Sequence, residues 1–207
     1  SAAGVEPRWR ARIRKHIPLA AGLGGGSADA AAALALANPL LEHPLPPERL
    51  AEVAAGIGAD VPFFLDPGPK LAEGAGERLS ALELPQDFWV VVALPRRARK
   101  TSTADVYARF DESNAAGGFD ERRAALGEAL TSARRPRDFA AFPRNDLAEA
   151  AGRPRLVDEL MESGAFRADV SGAGPAVYGL FHHLPDAKRA ARRVRLAART
   201  WVVAPVW

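Results

Sequence analysis

Gly22, Gly24, Gly25 and Gly26 stand directly ahead of an alanine-rich run that opens at Ser27. Glycine carries no Cβ, so such a segment can turn through positive φ and bring several backbone N–H groups against an anion. The run from Ser27 to about Ala37 reads as a helix, whose first amides have no intrahelical partner and whose macrodipole adds partial positive charge at the same end. This arrangement suits the binding of phosphate, a triphosphate included; a plain glycine turn is the alternative. The pattern is not the P-loop, which needs Gly-Lys before Ser or Thr. Nor is it the dinucleotide fingerprint, which needs Gly-x-Gly-x-x-Gly after a strand. Asp60, in Gly58-Ala59-Asp60-Val61-Pro62, offers a carboxylate either for chemistry or to cap the turn that follows. Asp29 sits two residues into the helix, where it can favour the dipole or help hold Mg²⁺, the capping role being preferred.

Composition narrows the classes. The 207 residues suffice for one large domain or two small ones with real cores, and 48% of them are apolar, as in globular proteins. With no cysteine there is neither a disulfide nor a thiolate metal site, which fits a reducing cytoplasm. His16, His43, His182 and His183 include no pair at zinc-protease spacing and read as ordinary surface or structural residues, so no metal-ligating set is assigned. The first twenty residues hold four arginines and a lysine but no continuous apolar core. They make a poor signal peptide, no stretch of about eighteen apolar residues offers a membrane span, and a cytoplasmic protein is expected. The net charge is only +3, yet basic residues gather at Arg8 to Lys15, Arg96 to Lys100, Arg134 to Arg137 and Lys188 to Arg199. They are not interleaved with aromatics and match no nucleic-acid-binding signature. A field that attracts nucleotides and phosphorylated small molecules explains them with less assumed than nucleic acid does.

These residues need a scaffold, and the pattern outlines one. Residues 8–17 alternate, with Trp9, Ala11 and Ile13 on one face and arginines on the other, the period-2 mark of a half-buried strand feeding the glycine bend. Asn38-Pro39 stops the alanine helix, and a second helix runs from about Pro47 with Leu50, Val53, Ala54 and Ile57 at helical spacing. Gly58 to Leu65 enters an apolar strand, Gly68, Gly74 and Gly76 mark the turns of a hairpin, and Phe88 to Leu94 is a buried strand. Pro85 is a seam between two lobes. Beyond it Ser102 reads as an N-cap with Asp105 completing a capping box, and helices are expected near 102–110, 120–132, 146–150 and 155–163. Residues 115–119 are expected to form a mobile connection. The last third reads as strand Phe166–Val170, turn Ser171–Gly174, strand Ala176–Phe181, a basic helix from about 186 to 198 and a strand Trp201–Val206. That β-β-α-β order makes the open half of a ferredoxin-like α+β lobe.

Pro-x-x-x-Gly-Leu-Gly-Gly-Gly-Ser-x-Asp-Ala-Ala, from Pro18 to Ala31, resembles the ATP-binding motif of the GHMP small-molecule kinases, and the triple glycine is most similar to the diphosphocytidyl-methylerythritol kinases. The resemblance continues in order through Gly58-Ala59-Asp60-Val61-Pro62-Phe63-Phe64, Gly74-x-Gly76-Glu77, Ser102-Thr103-Ala104-x-x-Tyr107, Asn145-Asp146-Leu147 and Ser171-Gly172-Ala173-Gly174, over nearly the whole chain. It implies an α+β GHMP kinase fold. An incomplete N-terminal lobe like ribosomal protein S5 would take residues 1–86, and a ferredoxin-like C-terminal lobe residues 87–207. It implies transfer of the γ-phosphate of ATP, with Mg²⁺, to the 2-hydroxyl of 4-diphosphocytidyl-2-C-methyl-D-erythritol in non-mevalonate isoprenoid synthesis. Asp60 would act as the carboxylate beside that hydroxyl. Pro18, Ala20, Ala21, Gly22, Leu23, Gly24, Gly25, Gly26, Ser27 and Ala28 would hold the nucleotide. Tyr107 would stack on the cytosine, or else merely pack its helix on the sheet, and Ser171 and Gly172 belong to a third motif near the substrate, or to a tight β-turn.

The sequence departs from the family pattern where Ala28 and Ala173 replace serines and Pro175 follows where a small polar residue is usual, each removing a hydroxyl or N–H from reach of phosphate. The family also carries its phosphate motif after several N-terminal strands that hold a catalytic lysine; Lys15 and Lys70 do not match that lysine's motif. The expectation is a fragment with little or no kinase activity of its own and an unpaired sheet edge near residues 8–17. Another GHMP enzyme, such as a homoserine or mevalonate-type kinase, and a catalytically silent nucleotide-binding module are the competing readings. The partner expected is a small molecule, with no nucleic acid and no membrane, and a homodimer is the assembly the reading allows.

Overall fold

The computed structural model describes residues 9–97, 102–113, 117–152 and 154–206. Arg8, residues 98–100 of a basic cluster and residues 115 and 116 of the expected connection lie outside them. The chain divides into two compact units, one with the residues up to Leu19 and Gly24–Glu83, the other with Ala20–Leu23 and Leu84–Val206. Among the described residues no helix is long and apolar enough to cross a membrane.

In the first unit, α1 spans Gly25–Ala37 and α2 spans Pro47–Ile57. Alanine at successive positions of α1 lets its backbone lie close to its neighbours, so Ala31 and Ala54 are buried together with Val61, flanked by Leu34 and Leu65. Pro47 occupies the first turn of α2, where its missing N–H costs nothing. A hairpin follows, β1 (Lys70–Glu73) and β2 (Arg78–Ala81), paired antiparallel about a turn with Gly74 and Gly76 at positive φ.

Two expectations fail here. Residues 9–17 form no strand and are exposed throughout. Alternation makes a strand only when another strand takes up its N–H and C=O groups, and no described segment pairs with this one; the unpaired sheet edge expected there is accordingly not formed. The apolar run after Asp60 is a 3-10 turn, Pro62–Phe64, not a strand: Pro62 starts it and the amides of Phe64 and Leu65 donate to Val61 and Pro62.

The second unit is built on a four-stranded antiparallel sheet in the order β4-β5-β3-β6, with β3 Trp89–Pro95, β4 Arg167–Val170, β5 Val177–Phe181 and β6 Ala198–Val203. Its helices are α3 (Thr103–Glu112), α4 (Phe119–Ser132), α5 (Arg155–Glu162) and α6 (Leu184–Val194). Leu156, Val157 and Leu160 of α5 and Ala187, Ala190, Ala191 and Val194 of α6 bury their faces against Val91, Val177 and Phe181 of the sheet. The capping box of α3 forms, Ser102 Oγ accepting the Asp105 amide at 3.0 Å and Asp105 accepting the Ser102 amide at 3.2 Å. The helix expected over 146–150 is only a pair of turns, closed by Ala148 N–H to Asn145 and Ala151 N–H to Leu147. The last helix and strand lie a few residues earlier than expected.

Candidate active site

The glycine run is shaped by close neighbours. α1 begins at Gly25, two residues before Ser27, with Gly24 as its N-cap at φ 63°. Its first closing bond is from the Ala28 amide to the Gly24 carbonyl, so the amides of Gly25, Gly26 and Ser27 precede it without an intrahelical acceptor. A Cβ at Gly24 would come within 2.6 Å of the Phe64 ring and one at Gly25 within 2.7 Å of Ile17, whereas one at Gly26 would meet nothing within 4 Å. Packing therefore demands glycine at the first two positions. At the third, open space lies where a Cβ would stand, which fits a backbone approached by a ligand such as nucleotide phosphate. Ser27 lies inside the first turn and caps nothing.

Asp29 does not cap the helix either. Its carboxylate pairs with Lys15 Nζ, which also donates to the Gly25 carbonyl at 3.3 Å. On sequence Lys15 is set aside because it does not match the family's lysine motif, and its pairing with Asp29 is visible only in the structure. The structure thus gives Asp29 an ammonium partner, and among the described residues no cluster of three His, Cys, Asp or Glu side chains could cage a metal ion.

Asp60 and Gly24 line one small cavity of about 160 Å³ in the first unit, walled by Ala59, Phe63, Phe64, Ala72, Gly76 and Leu79. Asp60 is exposed, and the 3-10 turn after it has no side-chain cap, so the capping role left open by the sequence is not realised. Its carboxylate is one polar group against a mostly apolar wall. Gly76, read above as a hairpin turn and as part of the resemblance, lines the same cavity. Lys70 is committed elsewhere: its ammonium donates to the carbonyls of Phe63 (3.0 Å) and Asp66 (2.7 Å) and lies 4.9 Å from the Phe63 ring centre.

The earlier half of the glycine run belongs to the second unit. Ala20 takes φ 52°, a left-handed conformation that costs a non-glycine residue roughly 1–2 kcal/mol. Ala21 is buried and its carbonyl accepts the Ala176 amide at 3.0 Å. Ser171 Oγ donates to the Gly22 carbonyl at 2.7 Å. A Cβ on Gly22 would stand 2.4 Å from the Ser171 carbonyl and 2.7 Å from that of Gly174. The Ser171–Gly174 turn and the Ala21-Gly22 segment are thus brought together. Tyr107, on α3, is 52% exposed beside the buried Val106. A larger groove of about 810 Å³ in this unit, lined by Arg96, Arg97, Arg155 and Leu196 among others, contains none of the site residues expected from the sequence.

Comparison with known proteins sets this geometry in context. A family model described as the GHMP kinases N terminal domain matches residues 2–68, and one described as GHMP kinases C terminal matches residues 154–199. The chain is 40% identical over 200 residues to the 4-diphosphocytidyl-2-C-methyl-D-erythritol kinase of Geobacter sulfurreducens, covering 94% of this chain and 67% of that protein. To the protein of the same name from Salinispora tropica it is 41% identical over 196 residues, covering 91% and 62%. It superposes on a crystal structure of 4-(cytidine 5'-diphospho)-2C-methyl-D-erythritol kinase with a TM-score of 0.69 at 34% identity, covering 92% of this chain and 68% of that one. The mevalonate kinase of Methanococcus jannaschii, at 12% identity, a TM-score of 0.67 and coverage of 92% and 66%, shares the fold alone. The chain spans about two thirds of the length of these relatives.

Proposed function

The chain belongs to the GHMP kinases, and from that premise we propose that it serves the reaction of its 4-diphosphocytidyl-2-C-methyl-D-erythritol kinase relatives, phosphorylation of the 2-hydroxyl of that compound by ATP. The observation that carries this reading is the identity over nearly the whole chain, with Asp60 and Gly24 lining one cavity at the mouth of α1. Phosphoryl transfer asks a protein chiefly for positioning and charge balance. The free amides of Gly25, Gly26 and Ser27 hold phosphate oxygens, and Gly26 lets them come close. Asp60 accepts the hydroxyl proton as that oxygen bonds to the γ-phosphorus and the bond to the β,γ-bridging oxygen breaks, leaving ADP. Tyr107 would be the residue to meet the cytosine, its ring being exposed, and Ser171 and Gly172 belong to the turn that contacts Gly22. Mg²⁺ bound with the nucleotide would supply charge neutralisation on the phosphates, and Ser27 is the residue whose hydroxyl would stand beside it.

The test is a titration with ATP and Mg²⁺ followed by turnover with 4-diphosphocytidyl-2-C-methyl-D-erythritol. Asp60→Asn is expected to leave ATP affinity within about twofold and, measured against whatever transfer the unaltered protein supports, to reduce it by roughly 10²–10⁴, the usual worth of a general base. Binding without transfer in the unaltered protein would favour a silent nucleotide-binding module, and failure to bind ATP would sink the reading.

A further inference from the structure

Asn145-Asp146-Leu147 matches the family pattern, yet nothing in the reaction above uses it. In the structure Asn145 spends its whole polar capacity. Its Nδ2 donates to the carbonyls of Val170 (3.0 Å) and Gly172 (2.7 Å), its Oδ1 accepts the Leu147 amide at 3.0 Å, and its own amide donates to Asp169 Oδ2 at 2.9 Å. Two donors and one acceptor on a short side chain are what this position requires. Aspartate of the same shape would set a carboxylate against two carbonyls, and glutamine is one methylene too long.

The partner Asp169 is buried and is itself fixed, accepting the Val170 amide at 2.8 Å and a bond from Arg167 at 3.3 Å. Arg167 in turn donates to the carbonyls of Phe139, Phe142 and Pro143 and to the Tyr178 hydroxyl. This frame ends on the turn that grips the glycine run. Gly172, whose carbonyl Asn145 holds, follows Ser171, whose hydroxyl holds the Gly22 carbonyl, and the Ala176 amide beyond the turn holds Ala21. There is no slack in that last step, because the Ser171 and Gly174 carbonyls leave no room for even a Cβ on Gly22.

We propose that Asn145 is a positioning residue: it sets the Ser171–Gly174 turn so that the turn holds Ala21 and Gly22 in the register that binds nucleotide. It touches neither ATP nor acceptor. The inference rests on the nucleotide-binding reading above. Loss of the two donated bonds frees the turn to move, so the cost of ordering it again falls on the ligand-binding step.

The test compares Asn145→Asp and Asn145→Ala with Val194→Ala, a cavity in the core of the same unit that removes none of the hydrogen bonds to the turn. Each is titrated with ATP and Mg²⁺ at a temperature where it is folded, and hydrogen exchange is followed at the Ala176 amide. Both Asn145 variants are expected to bind ATP at least tenfold more weakly and to exchange Ala176 faster. Where turnover is measured, KM for ATP rises more than kcat falls. Val194→Ala is expected to lower the melting temperature with ATP affinity within twofold. A folded Asn145→Asp protein with wild-type ATP affinity overturns the proposal and leaves the kinase reading standing. If the unaltered protein binds no ATP, the kinase reading falls and the nucleotide half of this proposal falls with it, while the Ala176 exchange rate still decides whether Asn145 sets the grip.

Discussion

Gly26→Ala separates what the glycine run does for the fold from what it does for a ligand. At Gly22, Gly24 or Gly25 a methyl group would collide with the Ser171 carbonyl, the Phe64 ring or Ile17 at 2.4 to 2.7 Å, so a variant there perturbs folding and binding together. At Gly26 nothing lies within 4 Å of the added carbon, and the residue is the second of α1. Replacing glycine by alanine within a helix gains about 0.5–1 kcal/mol, less near an end, which for a protein of this size raises the melting temperature by at most about 2–4 °C. A bound phosphate feels the opposite. A phosphate that approaches the α1 amides on the Gly26 side is crowded by the methyl, which weakens at least one charge-assisted bond, each worth about 1.5–3 kcal/mol, or roughly tenfold to a hundredfold in affinity. Thermal melting and an ATP titration on the same sample read the two effects with opposite signs. A variant that melts at or above the wild-type temperature and still binds ATP within twofold refutes the claim that phosphate approaches the α1 amides at Gly26.

Two further outcomes test the frame of the second unit. Arg167 and Asp169 are 12% and 5% exposed at their side chains, and Arg167→Met would leave the carboxylate without its cation and three carbonyls without their donor, a loss of about 3–5 kcal/mol or about 6–20 °C in melting temperature; a loss under about 3 °C contradicts the pairing. Asp138 accepts the amides of Arg134 (2.9 Å) and Arg135 (2.8 Å), and these bonds hold its carboxyl below the usual aspartate range. A lowered folded-state pKa gives stability that is present above the unfolded value, near 4, and lost as pH falls through the folded one. The melting-temperature gap between wild type and Asp138→Ala is therefore expected at pH 7 and should close on acidification below pH about 4; a gap unchanged down to about pH 2 would contradict the assignment.

Local rules read well where local chemistry decides. Pro47 with Leu50, Val53, Ala54 and Ile57 marks α2, Ser102 with Asp105 marks the start of α3, and the β-branched run at Val90 to Val92 marks the central strand. They fail where the decision is made elsewhere in the chain. The alternation of residues 9–17 is a fair strand pattern that no described segment completes, and Phe63-Phe64 is an apolar pair whose conformation Pro62 settles. Ala20 at positive φ carries no signal in its type, since alanine there is held by its surroundings and not by preference.

The site divides along the same line. Glycines at a helix mouth can be read because a missing Cβ is a property of the residue itself, whereas Asp60 is singled out by the resemblance of Gly58–Phe64 to the family pattern, its residue type alone leaving chemistry and capping both open. Asn145 and Asp169 are 24 residues apart and Ser171 and Gly22 are 149 apart, so their meaning arises only once the sheet has closed. One trace was available: Arg167 and Asp169 are two apart in a strand and so share a face, and opposite charges on a buried face are tolerated only as a pair. From that pair the frame can be followed outward, through Asn145 to the turn and from the turn to Gly22. Ala21 and Gly22 alone cannot specify their own register, because a glycine that bends freely also bends wrongly, and the bonds from Ser171 and Ala176 are what select one conformation there.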